Sequence, residues 1–174
     1  MFNEWKKNAQ SAKRLYPEGT RIELINMNDP FSPVATGMRG TVNFIDDAGL
    51  IFMNWDNGRG LTIVPGVDKF RKLTPEEIEK ENMSQQIVDD VKKYYSEGDI
   101  KKAYESWNKL FDLYNTPPEA SHSKRATDSK QLLKYLSKID DKTVYDVTDY
   151  GREQYYREMG YYDEIQNDDP DICD

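Results

Sequence analysis

The chain is poor in the residues that most often do chemistry, with one cysteine and one histidine among 174 residues. Cys173 by itself can form no internal disulfide and no thiolate zinc site within one chain. His122 by itself cannot furnish a paired-histidine metal helix, and no glycine-rich phosphate loop or nucleophile elbow is present. No apolar run approaches the roughly 18–20 residues that a membrane helix needs. The start, Met1-Phe2-Asn3-Glu4-Trp5-Lys6-Lys7, lacks the apolar core of a signal peptide. These absences predict a cytoplasmic protein with no cofactor, no metal and no membrane partner.

What the chain has is charge, unevenly placed. Residues 1–73 carry ten Lys/Arg against eight Asp/Glu, and residues 74–174 carry fourteen against twenty-four. Residues 140–174 alone hold twelve acidic side chains, three basic ones and six of the twelve tyrosines. The excess negative charge therefore gathers at one end, beside aromatic rings.

From Gly19 to Leu73 the pattern is that of strands. Arg21-Ile22-Glu23-Leu24-Ile25, Thr41-Val42-Asn43-Phe44-Ile45, Leu50-Ile51-Phe52-Met53-Asn54-Trp55 and Leu61-Thr62-Ile63-Val64 are separated by Asn28-Asp29-Pro30, Asp46-Asp47-Ala48-Gly49, Asp56-Asn57-Gly58 and Pro65-Gly66. β-Branched and aromatic residues alternating with polar ones between short turns predict a meandering antiparallel sheet closed into a small barrel. Ahead of it, Phe2, Trp5, Ala9, Ala12 and Leu15 recur at helical steps, which predicts a helix over residues 3–15 ended by Pro17. Thr74-Pro75-Glu76-Glu77 then reads as a helix start: a capping threonine, proline in the first turn, and a glutamate that can bond back to the cap. It sets a domain boundary, with 1–73 as helix plus barrel and 74–174 as an acidic helical domain. The predicted class is α+β.

In the second part, Ile87, Val88, Val91, Tyr94 and Tyr95 form one apolar stripe. Ile100, Ala103, Tyr104, Trp107, Leu110, Phe111 and Tyr114 form another, with Gly98 and Asp99 as stop and cap between them. Two helices so joined resemble a single tetratricopeptide-like unit, without a second copy. Asn115 to Thr127 reads as a loop. Asp128 is placed to cap a helix carrying Leu132, Leu133, Leu136 and Ile139, and Thr148 or Asp149 to start a last one through Tyr155, Tyr156 and Met159.

Three sets of residues could carry chemistry. His122 beside Lys124 and Arg125 could serve ribonuclease-like proton transfer, although a polar loop containing a histidine is the plainer reading. Asp46-Asp47 and Asp168-Asp169-Pro170-Asp171 offer oxygen to a hard cation, but the first pair is more simply a hairpin turn. At the barrel rim, Phe31, Arg39, Trp55, Asn57 and Arg59 could stack on and neutralise nucleic acid. Against that, Trp55 could plug the core, and the near-neutral first part lacks a basic stripe, so direct nucleic-acid binding is not expected. The favoured surface is Asp149, Tyr150, Tyr155, Tyr156, Glu158, Tyr161, Tyr162, Asp163, Glu164, Asp168 and Asp169. There, carboxylates present negative charge and tyrosines add flat contact area at low entropic cost.

Tyr16-Pro17-Glu18-Gly19-Thr20-Arg21-Ile22, Met27-Asn28-Asp29-Pro30-Phe31, Gly37-Met38-Arg39-Gly40-Thr41-Val42, Asp46-Asp47-Ala48-Gly49, Asn54-Trp55-Asp56-Asn57-Gly58 and Pro65-Gly66-Val67-Asp68 occur in order. Residues 16–73 thereby resemble a domain family of unknown function from phages, plasmids and integrative elements of Gram-positive bacteria. The resemblance implies an SH3-like barrel, and no activity is established for the family that could be carried over to these residues. It also implies a mobile-element setting, in which small acidic proteins are similar in style to anti-CRISPR and other counter-defence factors. The expectation is a non-enzymatic protein that inhibits a host defence complex by docking on its basic groove, a CRISPR effector such as Cas9. A nucleic-acid-binding barrel and a cryptic ribonuclease acting through His122 are the alternatives.

Overall fold

The computed structural model describes residues 2–31, 33–115 and 130–161, apart from the side chains of residues 2–8. It is a mixed α+β protein with five helices and a four-stranded antiparallel sheet among the described residues. The elements are α1 (Phe2–Leu15), β1 (Arg21–Asn26), β2 (Arg39–Ile45), β3 (Ile51–Trp55), β4 (Lys69–Lys72), α2 (Pro75–Ser96), α3 (Ile100–Leu113), α4 (Lys130–Leu136) and α5 (Asp141–Glu158). They divide into two compact units, Met1–Ile78 and Glu79–Asp174.

In the first unit the sheet order is β3-β2-β1-β4. Strand alternation drives Ile22 and Leu24 of β1, Val42 of β2 and Ile51, Met53 and Trp55 of β3 into one core, while Arg21 and Glu23 stay on the other face. Gly40 is required where it stands, because a β-carbon there would lie 2.9 Å from the Trp55 ring and 2.9 Å from the Asn54 carbonyl oxygen. A register shift between Val42 and Phe44 leaves Phe44 exposed and stacked on Phe52, with ring centroids 4.3 Å apart.

The sheet is open, which corrects the expectation of a closed barrel: β3 and β4 are its edges among the described residues. Leu61 to Val64 contributes a single bridge, Ile63 to Ile51, instead of the expected strand. The backbone groups around it are taken by side chains. The Trp55 indole N–H donates to the Leu61 carbonyl at 2.7 Å, and the Val64 N–H donates to the Asp68 carboxylate at 2.8 Å. The fourth strand is Lys69-Phe70-Arg71-Lys72, paired with β1 through Phe70 opposite Leu24.

The second unit is built on four helices that share a core of Val88 and Val91 from α2, Trp107, Leu110 and Phe111 from α3, Leu132 and Leu136 from α4, and Val144 and Val147 from α5. Fully burying a side chain of the size of Phe111 contributes about 1.5–3 kcal/mol. At the turn between α2 and α3, Gly98 takes φ +79° and Asp99 caps α3 by accepting from the Lys102 N–H. Lys80 and Ser84 of α2 meet Tyr114, just past the end of α3, so the two helices run antiparallel. The last helix starts earlier than Thr148 or Asp149. Asp140 caps α5, accepting from the Thr143 N–H at 2.9 Å and its hydroxyl at 2.7 Å. Thr148 sits mid-helix and returns its hydroxyl to the Val144 carbonyl.

Candidate partner-binding surface

Helix α5 exists because Asp140 fixes its first turn and because Thr143, Val144, Val147, Thr148 and Gly151 form one buried face. Other positions of α5, and residues just past its end, carry rings outward. Tyr145 is 64 % exposed, Tyr155 45 %, Tyr156 39 % and Tyr161 61 %, next to Met159 at 66 %. Three of these rings form a ladder, Tyr155 to Tyr156 at 5.8 Å and Tyr156 to Tyr161 at 5.5 Å between centroids. Tyr150 lies apart from them, half-buried and edge-on to Tyr104 at 5.7 Å.

The carboxylates of α5 divide into engaged and open ones. Asp146 accepts from the Tyr95 hydroxyl at 2.5 Å and pairs with Lys142 at 3.2 Å. That hydroxyl, and then Lys142, hold the Asp146 carboxyl below its ordinary range. Asp149 pairs with Arg152 at 3.1 Å. Glu153 and Glu158 are exposed, and neither pairs with a cation among the described residues. Tyr162, Asp163, Glu164, Asp168 and Asp169 lie outside the described residues, as does His122.

The rim residues of the first unit differ in exposure and in the partners they take. Phe31 is 94 % exposed, on a loop where Asp29 accepts the Phe31 N–H at 2.8 Å. Trp55 is 3 % exposed and fills the core. Asn57 accepts the Arg59 N–H at 3.2 Å and so serves the turn, while the Arg59 guanidinium donates to the Pro33 carbonyl at 3.0 Å and ties the turn to the loop before β2. Arg39 is drawn into an ion network: it donates to Glu23 at 3.0 Å and to Glu77 at 3.4 Å. Arg71 joins both carboxylates, at 3.0 Å from Glu23 and 2.7 Å from Glu77. Arg21 makes two 2.8 Å bonds to Asp56. Asp46 accepts from the N–H groups of Ala48 and Leu50, which makes it a turn residue. Among the described residues no group of three or more metal-ligating side chains is placed to hold an ion.

The network around Glu77 escaped sequence reasoning, although the capping box is formed: Thr74 N–H donates to Glu77 at 2.8 Å and Glu77 N–H to the Thr74 hydroxyl at 3.2 Å. The bond from Arg71 is the largest cause holding the Glu77 carboxyl at about 2, and the same pairing raises Arg71. A sequence signal for Glu77 existed in the box, but none pointed to its two arginines. Asp68 was missed as well. It is 8 % exposed, and its carboxylate accepts the N–H groups of Asn28 and Val64, each at 2.8 Å, tying two loops together.

Residues 5–73 are similar to a domain of unknown function, DUF4314. No curated protein and no solved structure matches the chain. No helix among the described residues is long and apolar enough to cross a membrane.

Proposed function

We propose that this is a non-enzymatic accessory protein of a mobile element that binds and inhibits a host nucleic-acid-processing defence complex, a CRISPR effector being the best match. The contact surface is the end of α5 and the residues after it. The observation that carries this reading is the exposed ladder of Tyr155, Tyr156 and Tyr161. It leads directly into residues 162–174, which contain six carboxylates and no Lys or Arg. Such a surface repels phosphates and suits a groove lined with cations.

The arginines at the sheet support the same choice by being spent within their own unit: Arg21 on Asp56, and Arg39 and Arg71 on Glu23 and Glu77. A nucleic-acid face needs cations directed outward. The resemblance of the first unit to domains of mobile elements supplies the setting, and a basic groove in a defence nuclease supplies the partner.

Titration of the fluorescently labelled protein against CRISPR effector ribonucleoproteins, with and without their target nucleic acid, tests the reading. Mutually exclusive binding is the expected outcome. Simultaneous binding of protein and target, or binding to naked DNA or RNA at low salt, would count against it.

A further inference from the structure

Tyrosine rings in the second unit are repeatedly covered by the chain's own lysines. Lys80 Nζ lies 4.1 Å from the centroid of Tyr114, Lys138 4.9 Å from Tyr135 and Lys142 5.2 Å from Tyr95. Tyr94 has Lys93 at 5.5 Å and Lys102 at 5.7 Å. These are cation–π distances, at which a positive group is attracted to the electron-rich face of the ring. Among the described residues no cation covers Tyr156 or Tyr161, although both are exposed. Glu153 stands three residues before Tyr156 on α5, on the same side of the helix, and it has no cationic partner there either. Ring faces and a carboxylate are thus presented together.

We infer that the partner meets this end of α5 with arginine side chains, whose guanidinium planes lie on the rings of Tyr156 and Tyr161 while their charge is matched by Glu153. Arginine suits the site better than lysine because its planar, weakly hydrated head stacks on a ring and bonds a carboxylate at once. The inference rests on the proposed docking function and adds to it the chemistry of the partner's contact groups. It also assigns the tyrosines a task distinct from general charge: the ring, and neither the hydroxyl nor the apolar area, is what the partner reads.

Binding of an octa-arginine peptide, with octa-glutamine as the uncharged control, separates these possibilities in the full chain. Three proteins are compared: wild type, the double variant Tyr156→Phe/Tyr161→Phe, and the double variant Tyr156→Leu/Tyr161→Leu. Each is checked by circular dichroism for unchanged helix content. Two exposed cation–π contacts predict that the leucine variant binds roughly 5- to 30-fold more weakly while the phenylalanine variant stays within about twofold of wild type. Equal affinity of the leucine variant and wild type overturns the inference and leaves acidic docking standing. Equal loss in both variants also overturns it, because hydroxyl bonding would then be the contact. Failure of wild type to bind the arginine peptide at low salt overturns both the inference and the function beneath it.

Discussion

Tyr104 and Gly151 approach so closely that a β-carbon on Gly151 would lie 2.2 Å from Cε2 of the Tyr104 ring. Glycine is therefore a condition for α3 and α5 to pack as they do, and α5 is the helix that carries the exposed Tyr155 and Tyr156 rings.

Gly151→Ala is expected to destabilise the second unit by about 1–3 kcal/mol through overpacking, despite alanine's better helix propensity. Thermal unfolding followed by circular dichroism measures the loss. Adding Tyr104→Ala, which opens the space, should recover part of it, and a double-mutant cycle would show the two sites coupled.

The Glu77 carboxyl, held at about 2 by Arg71, predicts a pH signature. Its pKa in the folded chain lies below the ordinary 4.5, so its contribution is complete above about pH 4.5 and is lost as pH falls toward 2. The side chain is 29 % exposed and partly screened, so Glu77→Gln should cost about 1–2 kcal/mol at neutral pH. Unfolding curves of the two proteins should separate at pH 7 and converge toward pH 2. A separation independent of pH would show that the ion network contributes nothing.

Asp68→Ala removes the acceptor of two backbone N–H groups at once, from Asn28 and Val64. Leaving such donors unpaired costs about 1–3 kcal/mol. Hydrogen exchange should accelerate at those two amides ahead of the amides of Ile22 and Leu24 in β1. Uniform acceleration across the sheet would indicate global unfolding instead.

Local signals in the sequence were legible where one residue acts on its own neighbours. Asp99 caps α3 and Thr74 with Glu77 forms a capping box, each spelled by residues at most three apart. Three strands followed from alternation. The fourth did not, because Lys69-Phe70-Arg71-Lys72 has one apolar residue and owes its place to pairing with Leu24, 46 positions away in sequence from Phe70. Leu61 to Val64 misled for the converse reason: its apolar residues suit a strand, but Trp55 and Asp68 capture its backbone groups. The cap that starts α5 is Asp140 and not Thr148 or Asp149, because Asp140, one of several acidic residues in that stretch that could cap, is the one that bonds Thr143. At the candidate surface, the exposure of Tyr155, Tyr156 and Tyr161 accords with their place in a polar stretch. The separation of Tyr150 from them depends on Tyr104, which no nearby residue announces.

The proposed docking of the acidic end of the chain on a cationic surface is tested by the salt dependence of its binding to a CRISPR effector ribonucleoprotein. Wild type is compared with the variant in which Asp163, Glu164, Asp168 and Asp169 are changed to lysine. Wild-type affinity is expected to fall steeply from 50 to 300 mM salt, conditions over which the Debye length shortens from roughly 14 to 6 Å, and the variant to bind at least about tenfold more weakly at low salt. Affinity that neither salt nor charge reversal changes would contradict it.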